Sequence, residues 1–275
     1  MKVFESIIET QNYIKNRSVG FVPTMGALHE GHISLVRKAK EENELTVVSI
    51  FVNPAQFNNP EDLARYPRTL ETDLERLEKA GCDAVFVPSV QEMYPEPAVL
   101  KMDFGRLEQI LEGAFRPGHF NGVGLVVSKL FHIVRPHRAY FGQKDIQQCA
   151  VIHRLVNDLS FGIELVFCET VREADGLAMS SRNVRLSPEK RQVAPFIYQS
   201  LLRGKELLLN GNSPAETEKQ VAAMYGEHPD FDLEYYQVVA FSNLEQIGQY
   251  DPAVKTAIVA AAHLDGVRLI DNLIF

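Results

Sequence analysis

SVGFVPTMGALHEGHISLVRKAKEE, residues 18–42, is the stretch whose reading decides the fold. Its first seven residues are mostly apolar, with the β-branched and aromatic content of a strand covered on both faces. Gly26 and Gly31 then punctuate a short turn. From Ile33 onward apolar residues return at spacings of three and four, the mark of a helix with one buried face. Strand, glycine turn and helix in that order form the first half of a βαβ unit. The alternation continues outward. Strand-like LTVVSIFV (45–52), DAVFVP (83–88), RAYFG (138–142) and IELVFC (163–168) are separated by helix-like 70–80, 123–134 and 145–159. Upstream, MKVFESIIETQ reads as an amphipathic first helix rather than a signal peptide. The pattern predicts an α/β, doubly wound parallel sheet of Rossmann-like type, with ligands beyond the carboxyl ends of its strands.

After Ser187-Pro188 the texture changes. One helix is expected over 188–209, ending at Asn210-Gly211-Asn212, and another over about 214–226. Strand-like 233–240, 254–264 and 266–274 follow, the last two flanking the hairpin turn Asp265-Gly266. These predict a smaller C-terminal α+β domain, so the chain is divided into domains 1–174 and 175–275.

Composition narrows the function. The chain has 275 residues, 45% hydrophobic and 23% charged, which suits a globular protein and excludes collagen, coiled coil and disorder. No apolar run approaches a membrane span. The net charge of −8 argues against a nucleic-acid partner, because such partners call for a basic face. Cys82, Cys149 and Cys168 follow no metal or redox spacing. They read as buried thiols of a reducing compartment, by default the cytoplasm.

The turn PTMGALHEGH carries the first chemistry. A helix N-terminus presents unpaired N–H groups and attracts phosphate, and the two glycines leave the backbone free to approach a ligand. The glycine spacing is that of a P-loop, but His32-Ile33 stands where a P-loop needs Lys-Ser/Thr. His29 and His32, three residues apart, share one side of the first helical turn and suit hydrogen bonding to phosphate oxygens. Zinc lacks a third ligand here, and the spacing is not that of an H-E-x-x-H helix. The bare pattern leaves open a connection whose histidines only cap and pack. FGQKDIQQ (141–148) and GLAMSSRN (176–183) place Lys144 and Arg182 at further strand ends, where anionic substrates are held.

PTMGALHEGH, FVNPAQF (51–57), YPRT (66–69), RPGHFNGV (116–123), FGQKDIQQ and MSSRN together, in this order, resemble the pantothenate synthetase family. The His-x-x-His turn and Ser-Ser-Arg loop are similar to those of the wider adenylate-forming nucleotidyltransferases. The resemblance implies ATP-dependent condensation of pantoate with β-alanine to pantothenate, through a pantoyl adenylate, with release of pyrophosphate and AMP. It implies ATP with Mg2+ as substrate, no tightly bound organic cofactor, no nucleic-acid or membrane partner, and a homodimer, formed through LTVVSIFV or the last strand. Another nucleotidyltransferase that keeps the nucleotide in its product, or a nucleotide-binding scaffold, remains an alternative to this reading.

Residue by residue, the resemblance implies an ATP site of three stretches. Met25, Gly26, Ala27, Leu28, His29, Glu30, Gly31 and His32 form the first, with His29 and His32 on the phosphates and His32 the proton donor. Gly142, Gln143, Lys144 and Asp145 form the second: Lys144 neutralises phosphate and joins the two histidines as catalytic, and Asp145 takes a ribose hydroxyl. Met179, Ser180, Ser181 and Arg182 form the third, and Val171 offers backbone contacts to adenine. Gln56 and Gln148 bind pantoate, Gln56 also meeting β-alanine, because a primary amide both donates and accepts. Asp73 is a weak candidate for the metal, its alternative being one charge on a solvated helix. His119 borders the pocket or stabilises its turn, and Tyr66 and Arg68 match a family stretch near the site or only buttress it. The family usually has threonine where this chain has Leu125, so that helix is assigned no binding residue.

Overall fold

Neighbouring residues of a strand face opposite sides of its sheet, so a strand apolar at every position must be covered twice. That is the arrangement in the computed structural model, which describes residues 1–275. The chain divides into two units, Met1–Gln143 with Gln147–Glu169, and Lys144–Ile146 with Thr170–Phe275.

The first unit holds a parallel sheet of six strands: β1 (Lys2–Phe4), β2 (Val19–Thr24), β3 (Leu45–Ile50), β4 (Ala84–Phe86), β5 (Arg138–Gly142) and β6 (Glu164–Cys168). Their order is β1-β4-β3-β2-β5-β6. Phe21, Val47, Phe86 and Phe141 enter one core with residues of α1 (Ile7–Ile14), α7 (His119–Val134) and α8 (Ile146–Asp158). Their neighbours Val22, Val48, Val85 and Tyr140 enter a second core with α2 (Glu30–Glu42) and Leu77 of α4 (Leu70–Lys79). The doubly wound sheet is therefore built as the sequence predicts. α7 is apolar on almost every side and accordingly buried along most of its length. Full burial of one such Leu or Phe side chain is worth about 1.5–3 kcal/mol.

Several elements depart from the sequence reading. MKVFESIIETQ is not one helix: Lys2–Phe4 pairs in parallel with Ala84–Phe86, and only after Ser6, whose side chain accepts from the Glu9 N–H, does α1 begin. Short helices α3 (Pro60–Arg65), α5 (Val90–Met93) and α6 (Leu111–Phe115) stand where no element is expected. LTVVSIFV, offered above as a dimer strand, is interior, with β3 paired to β2 and to β4.

In the second unit the expected helix 188–209 is two, α9 (Pro188–Val193) and α10 (Phe196–Leu209), broken where Pro195 lacks an N–H. α11 (Pro214–Gly226) starts with a capping box in which the Ser213 and Glu216 side chains each accept the other's backbone N–H. Three antiparallel strands follow, β7 (Phe231–Ala240), β8 (Thr256–Leu264) and β9 (Val267–Ile274), in the order β7-β8-β9. Asp265 and Gly266, at φ of 53° and 70°, make the tight turn between the last two.

Candidate active site

Strand order reverses at β2: the chain leaves it for β3 on one side and returns to β5 on the other. Ligands of doubly wound sheets bind at the carboxyl end of such a switch point. Here β2 runs into residues 25–32, and β5 runs into Gly142 and Gln143. Neighbouring β3 runs into the 3₁₀ turn Pro54–Gln56. The first-unit candidates are thus the continuations of three adjacent strands.

The turn after β2 differs from a phosphate cradle of free amides. The Gly26 N–H goes to Thr24 Oγ1 at 3.2 Å, and that hydroxyl itself donates to the Ser49 carbonyl at 2.7 Å. The Ala27 and Leu28 N–H groups donate to the two carboxylate oxygens of Asp73, at 2.8 and 2.7 Å. The His29 N–H donates to His32 Nδ1 at 3.3 Å. Four successive N–H groups are therefore spent inside the turn, and Gly26, Ala27 and Leu28 have no amide donor left for ATP. Gly26 is required for another reason. Its φ is +80°, and a Cβ would lie 3.1 Å from both Asp73 Oδ2 and Ile50 Cγ2. The capacity to bind an anion passes to the N–H groups of Glu30 and Gly31 in the first turn of α2, and to the two imidazoles.

The His29 and His32 rings lie 4.1 Å apart, both half-buried. Because His32 Nδ1 accepts a backbone N–H, the neutral ring carries its proton on Nε2. Nε2 is then the nitrogen with a proton to donate.

Asp73 needs correction. It is 1% exposed, so it is no solvated charge, and both oxygens are committed to the turn, with Thr69 Oγ1 adding a third hydrogen bond at 3.2 Å. Asp73 therefore holds the turn, each of its oxygens accepting one backbone N–H.

Gln56 is buried, its Nε2 3.0 Å from Met25 Sδ. Asn53 Nδ2 donates to Gln56 Oε1 at 3.2 Å and to the Gly122 carbonyl at 3.1 Å, while Tyr94 Oη donates to Asn53 Oδ1 at 2.9 Å. Burial pushes the Tyr94 phenol up to about 12, so it stays a donor. His119 is buried too, with Nδ1 2.8 Å from the Gln56 carbonyl and Nε2 3.1 Å from Arg116 Nη1. It supports the backbone of Gln56. Asn53 and Tyr94 escaped the sequence reading. Asn53 lies inside FVNPAQF, where a polar residue directly after a strand was the available signal; Tyr94 carried none. Gln148, in the first turn of α8, is half-buried and its side-chain amide makes no hydrogen bond within the protein, which leaves it available to a ligand. Its neighbour Gln147 is spent on the 107–112 segment, binding the Leu107 and Ile110 carbonyls and the Glu112 N–H. Tyr66 packs edge-on against Phe57, and Arg68 binds the Tyr66 and Leu63 carbonyls, so both buttress. Leu125 is buried in α7.

Within the second unit, Val171 and Met179 are partners: the Met179 N–H donates to the Val171 carbonyl at 3.0 Å across a small hairpin in which Arg172 bridges Ala178. The Arg182 N–H meets Ser180 Oγ at 3.2 Å, and Asn183 Nδ2 meets the Ala178 carbonyl at 3.0 Å. The hairpin is anchored by Arg172, which forks onto buried Asp271 at 2.6 and 3.0 Å and stacks 3.7 Å above the Tyr198 ring. Next to Asp271, Asn272 Nδ2 holds the Lys144 carbonyl at 2.8 Å. Lys144 Nζ lies 3.8 Å from Asp145 Oδ1. One polar pair on β9 therefore organises Val171, Met179–Arg182 and Lys144–Asp145. Asp271 and Asn272 were also missed, although an Asp-Asn pair inside an apolar strand is uncommon enough to notice.

A doubly wound sheet with a His-x-x-His turn at its switch strand, and buried amides beside it, defines an α/β enzyme for a small anionic substrate. Residues 2–274 match the family model described as pantoate-beta-alanine ligase. The chain belongs to the pantoate–β-alanine ligase family. It is 52% identical to the pantothenate synthetase of Cytophaga hutchinsonii over 261 residues, 94% of this chain and 92% of that protein. It is 49% identical to that of Thermotoga petrophila over 280 residues, 100% of this chain and 99% of the other. The crystal structure of pantothenate synthetase from Thermus thermophilus superposes with a TM-score of 0.94 at 45% identity, covering 99% of each chain. A ligase from Francisella tularensis, complexed with beta-gamma ATP and beta-alanine, superposes at 0.83 with 37% identity over 99% of this chain and 97% of that one. The activity of this protein is that of a pantoate–β-alanine ligase, producing pantothenate.

Proposed function

We propose that this ligase works in two steps, with the pantoate carboxylate attacking the α-phosphorus of ATP and β-alanine then displacing AMP from the pantoyl adenylate. A carboxylate resists an amine until one oxygen becomes a good leaving group, and adenylation supplies that. The first step gathers negative charge on phosphorus, so fixed donors and cations carry the catalysis. His32, with its proton on Nε2, donates to the phosphate oxygens as charge builds, and His29 and the Glu30 and Gly31 N–H groups assist. Lys144, Ser180, Ser181 and Arg182 take further phosphate contacts, Asp145 a ribose hydroxyl, and the Val171 backbone the adenine. Met179, Gly142 and Gln143 line the same nucleotide.

Gln56 and Gln148 receive pantoate. Gln148 uses its uncommitted amide on the substrate's hydroxyls and carboxylate. Gln56, set by Asn53, Met25 and His119, serves pantoate first and β-alanine after it. Magnesium would come with ATP as part of the substrate and would withdraw charge from the phosphates as the α-phosphorus is attacked. The observation that carries this reading is the backbone-held Nδ1 of His32 beside the two unpaired N–H groups that begin α2.

No helix is long and apolar enough to cross a membrane. The three free thiols suit a reducing compartment, and on that ground we assign the protein to the cytoplasm. A homodimer is the expected assembly, and β9, an edge strand paired only to β8, keeps the last strand a candidate to pair across it.

The test is a product assay on purified protein with Mg2+, ATP, pantoate and β-alanine, omitting each in turn. AMP, pyrophosphate and pantothenate should appear together only with all present. Without β-alanine, a burst of about one pyrophosphate per active site should mark the adenylate. A nucleotide retained in a stable product would sink the two-step reading.

A further inference from the structure

We propose that Asp73 and Arg76 are positioning residues for adenylation, a clamp on α4 that sets the nucleotide turn without touching the nucleotide; this rests on the reading of residues 25–32 given above. Three residues apart, they lie on one helical face. Asp73 accepts the Ala27 and Leu28 N–H groups, and Arg76 Nη1 donates to the Leu28 carbonyl at 2.6 Å. Both polar groups of Leu28 are thus held by one helix. Thr69 Oγ1 orients the carboxylate from the start of the same helix.

The clamp has something to hold. Gly26 and Ala27 both have left-handed backbone, at φ of 80° and 50°, which a residue with a Cβ adopts rarely and only where its surroundings impose it. Buried Leu28 ties the turn to the core beneath, and His29 and His32 follow immediately. A slip of the turn would move both imidazoles.

The choice of a carboxylate is informative. A buried negative charge beside a site for phosphates is, by Coulomb's law alone, unfavourable to ATP. A carboxylate nonetheless offers two equivalent acceptors for two adjacent N–H groups. An asparagine offers one and turns its NH2 against the second N–H. The two effects have opposite signs in an Asp73→Asn variant: loss of charge alone tightens nucleotide binding, while loss of the clamp weakens it.

The experiment measures binding to the full-length protein by calorimetry. The probe is an acyl-sulfamate mimic of pantoyl adenylate, which needs no metal, titrated with Mg2+ and again with a chelator. The clamp predicts that D73N binds about tenfold or more weakly in both conditions, the scale of one lost buried hydrogen bond. Arg76→Met should weaken binding in the same direction. The double variant should lose less than the sum of the two, because both act on one turn. Thermal midpoints alone would not distinguish a positioning role from a structural one, whereas non-additive affinities of folded proteins do. Unchanged or tighter binding by D73N overturns the clamp. A loss confined to Mg2+ does so too and makes Asp73 a metal ligand. Should D73N not fold, exposed Arg76→Met decides, and unchanged affinity refutes the proposal. Wild-type protein that binds ATP but not the mimic refutes the adenylate reading instead, and the variants are then compared on ATP.

Discussion

His32 illustrates how one residue's chemistry is set by its backbone. The His29 N–H on Nδ1 leaves Nε2 as the proton-bearing atom, and the ring cannot turn without losing that bond. Replacing His32 with alanine should lower turnover at least ~100-fold with little change in thermal midpoint, since one transition-state donor is worth about 3 kcal/mol. Gln148→Ala, by contrast, should raise KM for pantoate while kcat and KM for ATP stay near normal, because its amide supports no part of the protein. Steady-state kinetics on the two variants checks both, and near-normal turnover in H32A would remove that residue from the mechanism. At this scale the sequence was informative about the side chains proposed to meet the ligand and silent about those that hold them. His29, His32, Lys144 and the glutamines stand in recognisable motifs. Asp73 acts on a turn 46 residues away, and Asn272 holds a carbonyl 128 residues away. No local pattern marks such a pair.

At the scale of elements, close packing matters most where α7 crosses the Pro54–Gln56 turn. A Cβ on Gly122 would fall 2.1 Å from the Ala55 carbonyl oxygen, so glycine alone lets the helix lie there. Gly122→Ala should force that turn away, at the roughly 1–3 kcal/mol of an overpacked site. We expect a lower thermal midpoint and a raised KM for pantoate, with KM for ATP less affected. An unchanged pantoate KM would separate Gln56 from α7.

A second prediction concerns α11. Glu218 accepts the Val238 N–H at 2.8 Å, and burial raises its carboxyl above the ordinary value. A carboxyl with a raised folded-state pKa costs stability while ionised and recovers it as pH falls through that pKa. Glu218→Gln should therefore melt at or above the wild-type temperature at pH 8, and the difference should shrink towards pH 4. A variant less stable at pH 8 would show that the hydrogen bond outweighs the buried charge. Long elements with clear periods, such as α2, β5 and β9, were legible. β1 is too short to display a period, and its strand state depends on a partner more than eighty residues on. Pro195 splits the 188–209 helix at a position the apolar spacing concealed.

For the whole molecule, burial replaces cross-linking as the source of stability. Cys82 and Cys149 are buried, Cys168 is partly so, and none is paired. Burial pushes the Cys82 thiol up to about 12. Ellman titration of the native protein at pH 8 should therefore label fewer than three thiols, Cys168 ahead of the others, and all three after denaturation. Immediate reaction of all three would mean a looser native state than these cores imply. Composition and period, both local or summed properties, were enough for a doubly wound sheet and a following α+β unit, while the resemblance to the family rested on short motifs read in order. The tertiary structure alone decided which strands have free edges, that the amides of residues 26–29 are spent internally, and that Asp73, Asn53, Asp271 and Asn272 hold the segments proposed to act. The physical reason is distance along the chain. A hydrophobic period is written in neighbouring residues, whereas a hydrogen bond between distant segments exists only once folding has brought donor and acceptor within about 3 Å.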